Sequence, residues 1–246
     1  DATLAKRFKL TENAFRKKRI SFGIKPSIKQ IDTLAGEFAA ETNYLYLTYS
    51  GTENDISPLS GSVITLGSGP YSIGSSVEFD WCAVNTVKTL KNSKKNTIIV
   101  NSNPETVSTD FDISDRLYFD ELTYERVCDI AEYEAGSPIV VSVGGQIANN
   151  LAVPLDSAGF KILGTTPKDI DRAENRKLFS AMIESRGIDQ PEWTEVTTLN
   201  NAKKFASKVH YPVLIRPSYV LSGGAMSVVD SDDEMKHYLD KATTLS

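Results

Sequence analysis

At 246 residues the chain has room for one large domain or about two ordinary ones, and its 40% hydrophobic and 24% charged content is that of a globular protein. A formal net charge of −5 gives no reason to expect nucleic acid, which is ordinarily met by a basic face. No apolar run nears the ~18 residues of a membrane span, and no signal peptide is visible. The two cysteines, Cys82 and Cys128, form no C-x-x-C, so two buried free thiols in a reducing compartment are expected. A first residue of Asp rather than Met suits a processed, engineered or excerpted chain.

In chain order, Ala5 to Ile20 reads as a basic, helix-prone stretch with Thr11 as an N-cap. Its cluster Arg16-Lys17-Lys18-Arg19 has two readings, a phosphate contact or a solvated helix face. The second is favoured, because no aromatic ladder or overall basicity accompanies it. Ile28 to Phe38 can form a helix, Tyr44 to Tyr49 a short aromatic strand or extended arm, and Ser50 to Ser60 a polar linker. Residues 1–57 hold too few apolar side chains for a core of their own and are expected to pack on something else.

From Gly61 strands and helices alternate. The strand Ser62 to Leu66 feeds a loop with Gly67, Gly69 and Gly74, and then a helix over Ser75 to Leu90 with Val77, Trp81, Val84, Val87 and Leu90 on one stripe. Ser75 or Ser76 would cap it, and Glu78 and Asp80 place negative charge near its positive end. Strand, glycine loop and helix in this order aim backbone N–H groups at an anion. Ser72 stands where the G-x-G-x-x-G fingerprint has its third glycine, so a tight turn and nothing more stays open beside a dinucleotide-binding module. Further strands are expected at Thr97–Val100, Leu117–Phe119, Pro138–Val143 and Lys161–Leu163, with helices at Thr123–Glu134 and Ile147–Ser157. The alternation implies a parallel sheet with helices on both faces, whose ligands sit beyond the carboxyl ends of the strands. Three loops fall there: Gly67 to Gly74, Asn101 to Asp112, and Gly144-Gly145-Gln146.

Beyond Pro167 the character changes. A helix is expected over Asp171–Arg186 and another over Asn201–Lys208, ahead of the strand Tyr211–Pro217. Arg216 leaves that strand beside Ser222-Gly223-Gly224, and a second strand, Met226–Val229, follows. An arginine placed so can grip a polyphosphate, its guanidinium giving fixed donors and the glycines allowing backbone approach. A plain hairpin with a surface ion pair explains the same spacing. The only histidines, His210 and His237, have no neighbours for a hydrolytic triad or a zinc site.

Four stretches, LGSGPYSIGSSVEFDW, NPETVSTDFDISDRLYF, DIDRAENRKLF and YPVLIRPSYVLSGGAM, closely resemble the carbamoyl phosphate synthetase large-chain family at the start of its second synthetase half. KPSIKQIDTLAGEFAAETNYLYLTY is similar to the end of the family's oligomerisation domain. The wording is nearest to eukaryotic, fungal members of the arginine pathway. The resemblance implies an α/β chain in three parts. Residues 1–57 would be the mainly helical end of the oligomerisation domain, 58–170 a pre-ATP-grasp Rossmann-like parallel sheet, and 171–246 the first lobe of an ATP-grasp domain. It implies an ATP-dependent ligase making carbamoyl phosphate from bicarbonate, glutamine-derived ammonia and two ATP, this stretch belonging to the half that phosphorylates carbamate. A non-catalytic scaffold for assembly is the competing reading.

Carried across by position, the resemblance places Arg176 and Arg216 on ATP phosphates, with Ser222 and Gly223 in the loop that closes over them. Ser76 and Glu78 would face the carbamate passage, where Glu78 guides or polarises that intermediate, and Gly145 and Gln146 would line the same side. Arg216 and Glu78 are thus the candidate catalytic residues. No metal ligand is visible; those for Mg2+ or Mn2+ are expected downstream of Ser246, with K+ a further candidate ion, and the 246 residues alone are expected not to turn over. The implied partners are a glutamine amidotransferase small subunit or fused domain, the remainder of the large chain and further copies of the parent, in the cytoplasm or mitochondrial matrix. Two departures from the family pattern are Ala148, where many members have proline, and Ser222, where some have glycine.

Overall fold

The computed structural model describes residues 1–71, 77–216 and 226–244. The chain divides into two compact units, Asp1–Ile170 and Asp171–Ser246.

The first unit is built on a seven-stranded sheet in the order β1-β2-β5-β4-β3-β6-β7. Its strands are β1 (Ser27–Gln30), β2 (Tyr44–Thr48), β3 (Ser62–Leu66), β4 (Asn96–Val100), β5 (Arg116–Tyr118), β6 (Ile139–Val140) and β7 (Ile162–Leu163). All neighbours run parallel except β1, which is antiparallel to β2. Every residue of β3 is buried, as a central parallel strand covered on both faces must be. Helix α3 (Val77–Asn92) lies on one face, its Val87 packed with Ile99 and Leu117. On the other face, α4 (Tyr124–Tyr133) and the short α5 (Gly145–Asn149) and α6 (Ala152–Ser157) bury Val127, Ile130, Ala148 and Leu155 against Ile64, Ile98 and Val100. Alternate residues of β4 therefore serve different cores, as the two-residue strand period requires.

Residues 1–57 are part of this sheet, and here the expectations need correction. The helix expected over Ile28–Phe38 is absent. Ser27–Gln30 form β1 instead, because Ile28 gains a buried position and the strand gains four registered pairs with β2, which local helix propensity cannot match. The outer edge of β1 is closed by the stretch expected as a linker: Asn54 Oδ1 accepts from Ile28 N at 2.8 Å and Asp55 Oδ2 from Gln30 N at 3.0 Å. That stretch is also stitched to the sheet through the fully buried carboxylate of Glu134, which accepts from Leu59 N at 2.7 Å, from Arg116 and from the Tyr118 hydroxyl.

The expected helix Ala5–Ile20 is two, α1 (Ala2–Arg7) and α2 (Glu12–Ser21), parted by Lys9 at φ 55° and by Thr11, whose hydroxyl caps α2 by accepting from Ala14 N. The solvated-face reading of its basic cluster holds for Lys17 and Lys18 only. Arg16 and Arg19 are buried against α4. Arg16 pairs with Asp129 and Glu132, and Arg19 reaches Asp129 at 2.9 Å. Burial opposes the Arg16 charge, but Glu132 and Asp129 hold the guanidinium protonated more firmly than usual.

The second unit has the helices α7 (Pro167–Glu174, which begins in the first unit), α8 (Arg176–Ser185), α9 (Leu199–Val209) and α10 (Asp232–Thr244). Its antiparallel pair β8 (Val213–Ile215) and β9 (Ser227–Val229) packs one face on α9 and α10 through Ala202, Ala206, Val229 and Met235. One helix was expected over Asp171–Arg186. Asn175 divides it, because its side chain accepts from Lys177 N and Leu178 N and so caps a new helix.

Candidate functional site

Three loops follow the carboxyl ends of β3, β4 and β6, and glycine is what lets them meet. A Cβ on Gly144 would lie 2.4 Å from the carbonyl oxygen of Gly67 and 2.7 Å from that of Leu66. The loop after β6 thus lies directly on the backbone leaving β3. On Gly67 a Cβ would fall 2.5 Å from Cγ of Asn101, so the side chain at the end of β4 occupies the space that Gly67 leaves. The convergence expected from the alternating pattern is present in the first unit.

Asn101 is 0% exposed, and its amide joins these loops. Its Oδ1 accepts from Gly69 N at 3.0 Å, and its Nδ2 donates to the hydroxyls of Thr106 (3.4 Å) and Ser108 (3.3 Å). Ser108 N in turn donates to both carboxylate oxygens of Asp80, at 3.2 and 3.3 Å. Asp80 and Glu78 are the acidic residues of the first turn of α3, at the end of the helix that favours negative charge. Between them, Phe79 lies against Gly145: a Cβ there would be 3.0 Å from the ring, and Gly145 holds φ +71°.

Among the sequence-predicted residues of this unit, the structure therefore brings together the first turn of α3, which carries Glu78, and the loop with Gly145 and Gln146. Glu78 is exposed; Gln146 is half-buried and donates to Asn150 Oδ1 at 2.9 Å. Ser76, and with it Gly74 and Ser75, lies outside the described residues. Ser108 and Phe79 were not singled out from the sequence; Asp80 was expected only as charge at the start of α3, and Asn101 only as the first residue of a loop. The signal that could have found Asn101 was a run of polar, self-bonding residues directly after a buried strand.

In the second unit, Arg176 is the first residue of α8 and Arg216 directly follows β8. A cation at the positive end of a helix is unfavourable unless an anion shares the site. The Arg176 guanidinium is held below its usual pKa, by partial burial first and then by the charge of Arg216. The two arginines are thus close enough to feel one another. Ser222 and Gly223 lie outside the described residues. Among the described residues no three His, Cys, Asp or Glu side chains gather as a metal site, and no helix is long and apolar enough to cross a membrane.

Residues 60–172 match the model of the carbamoyl phosphate synthase preATP-grasp domain, and residues 175–246 that of the carbamoyl-phosphate synthase L chain, ATP binding domain. The mitochondrial ammonia carbamoyl-phosphate synthase of Rattus norvegicus is 55% identical over 246 residues, which is 100% of this chain and 16% of that protein. The chain belongs to the carbamoyl-phosphate synthase large-chain family. The mitochondrial arginine-specific large chain of Neurospora crassa is 52% identical over 247 residues, 100% of this chain and 21% of that one. Identity this even ties the chain to the carbamoyl-phosphate synthases as a family and singles out no one pathway. The chain spans about a fifth or less of the length of these two relatives. A solved structure with the same fold is the biotin carboxylase domain of Hydrogenobacter thermophilus 2-oxoglutarate carboxylase, with TM-score 0.54 and 19% identity over 74% of this chain and 40% of that one. That likeness shows a shared α/β fold with a mostly parallel sheet.

Proposed function

We propose that this chain opens the carbamate-phosphorylating half of a carbamoyl-phosphate synthase. Residues 1–57 would close an oligomerisation domain, 58–170 form the pre-ATP-grasp domain and 171–246 begin the ATP-grasp domain. The observation that carries the reading is family identity along the whole chain, joined to an arginine pair, Arg176 and Arg216, whose charges act on one another. Two guanidiniums so placed gain from a polyanion between them, and each offers bidentate donors to phosphate oxygens.

ATP, when bound, supplies the phosphoryl group that carbamate accepts. Arg176 and Arg216 hold its phosphates and offset the charge that grows during transfer. Ser222 and Gly223 are carried over from the family motif as further candidate phosphate-binding residues. In the first unit, Ser76, Glu78, Gly145 and Gln146 form the carbamate side, where Glu78 orients or polarises the intermediate. The described residues provide no carboxylate cluster for the Mg2+ or Mn2+ that accompanies a nucleotide, so neither that ion nor K+ is given a ligand here. A glutamine amidotransferase subunit or domain, the rest of the large chain and further copies of the parent complete the assembly in this reading. Cytoplasm and mitochondrial matrix are both compatible with it.

The test is ATP formation from carbamoyl phosphate and MgADP by the full-length parent chain, before and after Arg216→Ala. Losing one charge-assisted phosphate contact is expected to remove about 2–4 kcal/mol of transition-state stabilisation, or about two to three decades in rate. The bicarbonate-dependent ATPase of the other half should be largely kept. An unchanged rate of ATP formation would make Arg216 structural and sink the assignment.

A further inference from the structure

The buried amide of Asn101 has no part in the site as proposed above, yet it bonds the chain ahead of Glu78 directly and is linked to the helical turn that carries Glu78 through Ser108. Ahead of α3, Gly69 N donates to Asn101 Oδ1 at 3.0 Å. Inside the first turn of α3, Asp80 accepts from Ser108 N, and the Ser108 hydroxyl accepts from Asn101 Nδ2 at 3.3 Å. The backbone is built around this side chain: Gly67 lacks a Cβ that would fall 2.5–2.7 Å from Asn101 Cγ, Cβ and Nδ2. Asn101 is itself fixed by its own N–H, which donates to the Tyr118 carbonyl of β5 at 3.0 Å. Its side chain therefore extends from the carboxyl end of the central strand of a parallel sheet.

An amide meets all these demands. Gly69 needs an acceptor, while the Thr106 and Ser108 hydroxyls take donated protons, and an amide offers both within one planar group. An aspartate there keeps the acceptor but loses the donors and places a charge at a fully buried position. We propose that Asn101 is a positioning residue: acting through Gly69 and through the Ser108–Asp80 link, it sets the first turn of α3 and holds Glu78 in register with carbamate. The inference rests on the reading of Glu78 as part of the carbamate side. A carboxylate that acts on a small, short-lived intermediate gains most from a rigid second layer, since displacements of about 1 Å can lower rates on the order of a hundredfold.

The experiment uses the full-length parent enzyme with Asn101→Asp, Glu78→Gln, the two combined, and Ser108→Ala as a milder variant that keeps the Ser108 N–H to Asp80. ATP formation from carbamoyl phosphate and MgADP is measured as separate kcat and KM values, beside the bicarbonate-dependent ATPase. Asn101→Asp is expected to lower kcat by about 10- to 100-fold with the KM for MgADP and the bicarbonate-dependent ATPase unchanged, and Ser108→Ala to lower kcat by about several-fold. Because Asn101 acts through Glu78, the double variant should be no slower than Glu78→Gln alone. Unchanged kcat in Asn101→Asp and Ser108→Ala, with Glu78→Gln impaired, overturns the positioning role while leaving Glu78 in place. Parallel loss of both half-reactions, or an additive double variant, makes Asn101 a stability residue and also overturns it. If Glu78→Gln itself leaves ATP formation intact, the underlying reading of Glu78 fails first.

Discussion

Asp120 shows how a single side chain carries the cost of its place in the fold. Its Oδ2 accepts from Leu47 N at 2.8 Å and Oδ1 lies 3.2 Å from Arg126 Nε, yet burial outweighs both and holds its pKa above the usual aspartate value. A carboxyl with a raised folded pKa contributes stability that is complete below the unfolded value and is lost as pH rises through the folded one. Relative to Asp120→Asn, the natural protein should therefore lose stability as pH climbs from the ordinary aspartate range through the raised value, and the gap should be level on either side. Denaturant midpoints for both proteins across the acidic range test this, and a pH-independent gap would show that burial does not govern the group. Cys128 follows the same rule, since burial pushes its thiol up to about 12, in keeping with the buried thiol expected from the sequence, whereas Cys82 is only partly buried. The raised Asp120 value had no local sign in the sequence, because burial is set by elements distant in the chain.

At the scale of elements, α2 is attached to the sheet domain by charge. Arg16 and Arg19 enter an almost closed interface and share Asp129 of α4, with Glu132 as a second partner for Arg16. Cation–π contact of Arg19 with Tyr49, 5.4 Å from the ring centroid, extends the join to the end of β2. Asp129→Ala removes the shared carboxylate and leaves Arg16 with Glu132 and Arg19 with the Asp1 carboxylate, so it should destabilise the protein by about 1.5–3 kcal/mol. Urea unfolding followed by tryptophan fluorescence and by circular dichroism would measure it. A change below about 1 kcal/mol would mean the arginines re-solvate on loss of Asp129, as exposed pairs do. Residue spacing showed that a basic helix exists here, and Thr11 marked its start. Which face of it meets carboxylates depends on α4, more than a hundred residues away, so a charge run that reads as solvated can turn inward.

At the scale of the molecule, each unit has its own core. The larger cluster of the first runs from Ile28 to Ile170, the last supplied by α7, and a smaller one of Val87, Ile99 and Leu117 covers the other face of the sheet. Residues 1–174, which keep α7 whole, should therefore fold alone with a cooperative thermal transition. Circular dichroism together with amide exchange would test it, and a broad transition without slowly exchanging β3 and β4 amides would show that the first unit needs the second. Residues 1–57 take part in this core through Ile28, Leu45 and Leu47, so deleting them removes one flank of the sheet.

The sequence by itself determined the alternation of strands and helices from Gly61 onward, the strand cores of β3, β4 and β5, the cap at Thr11, and the three loops that meet at the carboxyl edge. Those features rest on local periodicity and on turn and cap chemistry, which neighbouring residues specify. Its long motifs also carried the family, the candidate arginines Arg176 and Arg216, and Glu78. Only the tertiary structure decided that Ile28 begins a strand, that Arg16 and Arg19 are buried, and that Asn101 fills the space left by Gly67. Each of these depends on a partner brought near by folding: β2 for Ile28, α4 for the arginines, and the first turn of β3's outgoing loop for Asn101. Pairing and burial energies of this kind exceed the fraction of a kcal/mol per residue that separates local preferences, so they override what the chain shows in isolation.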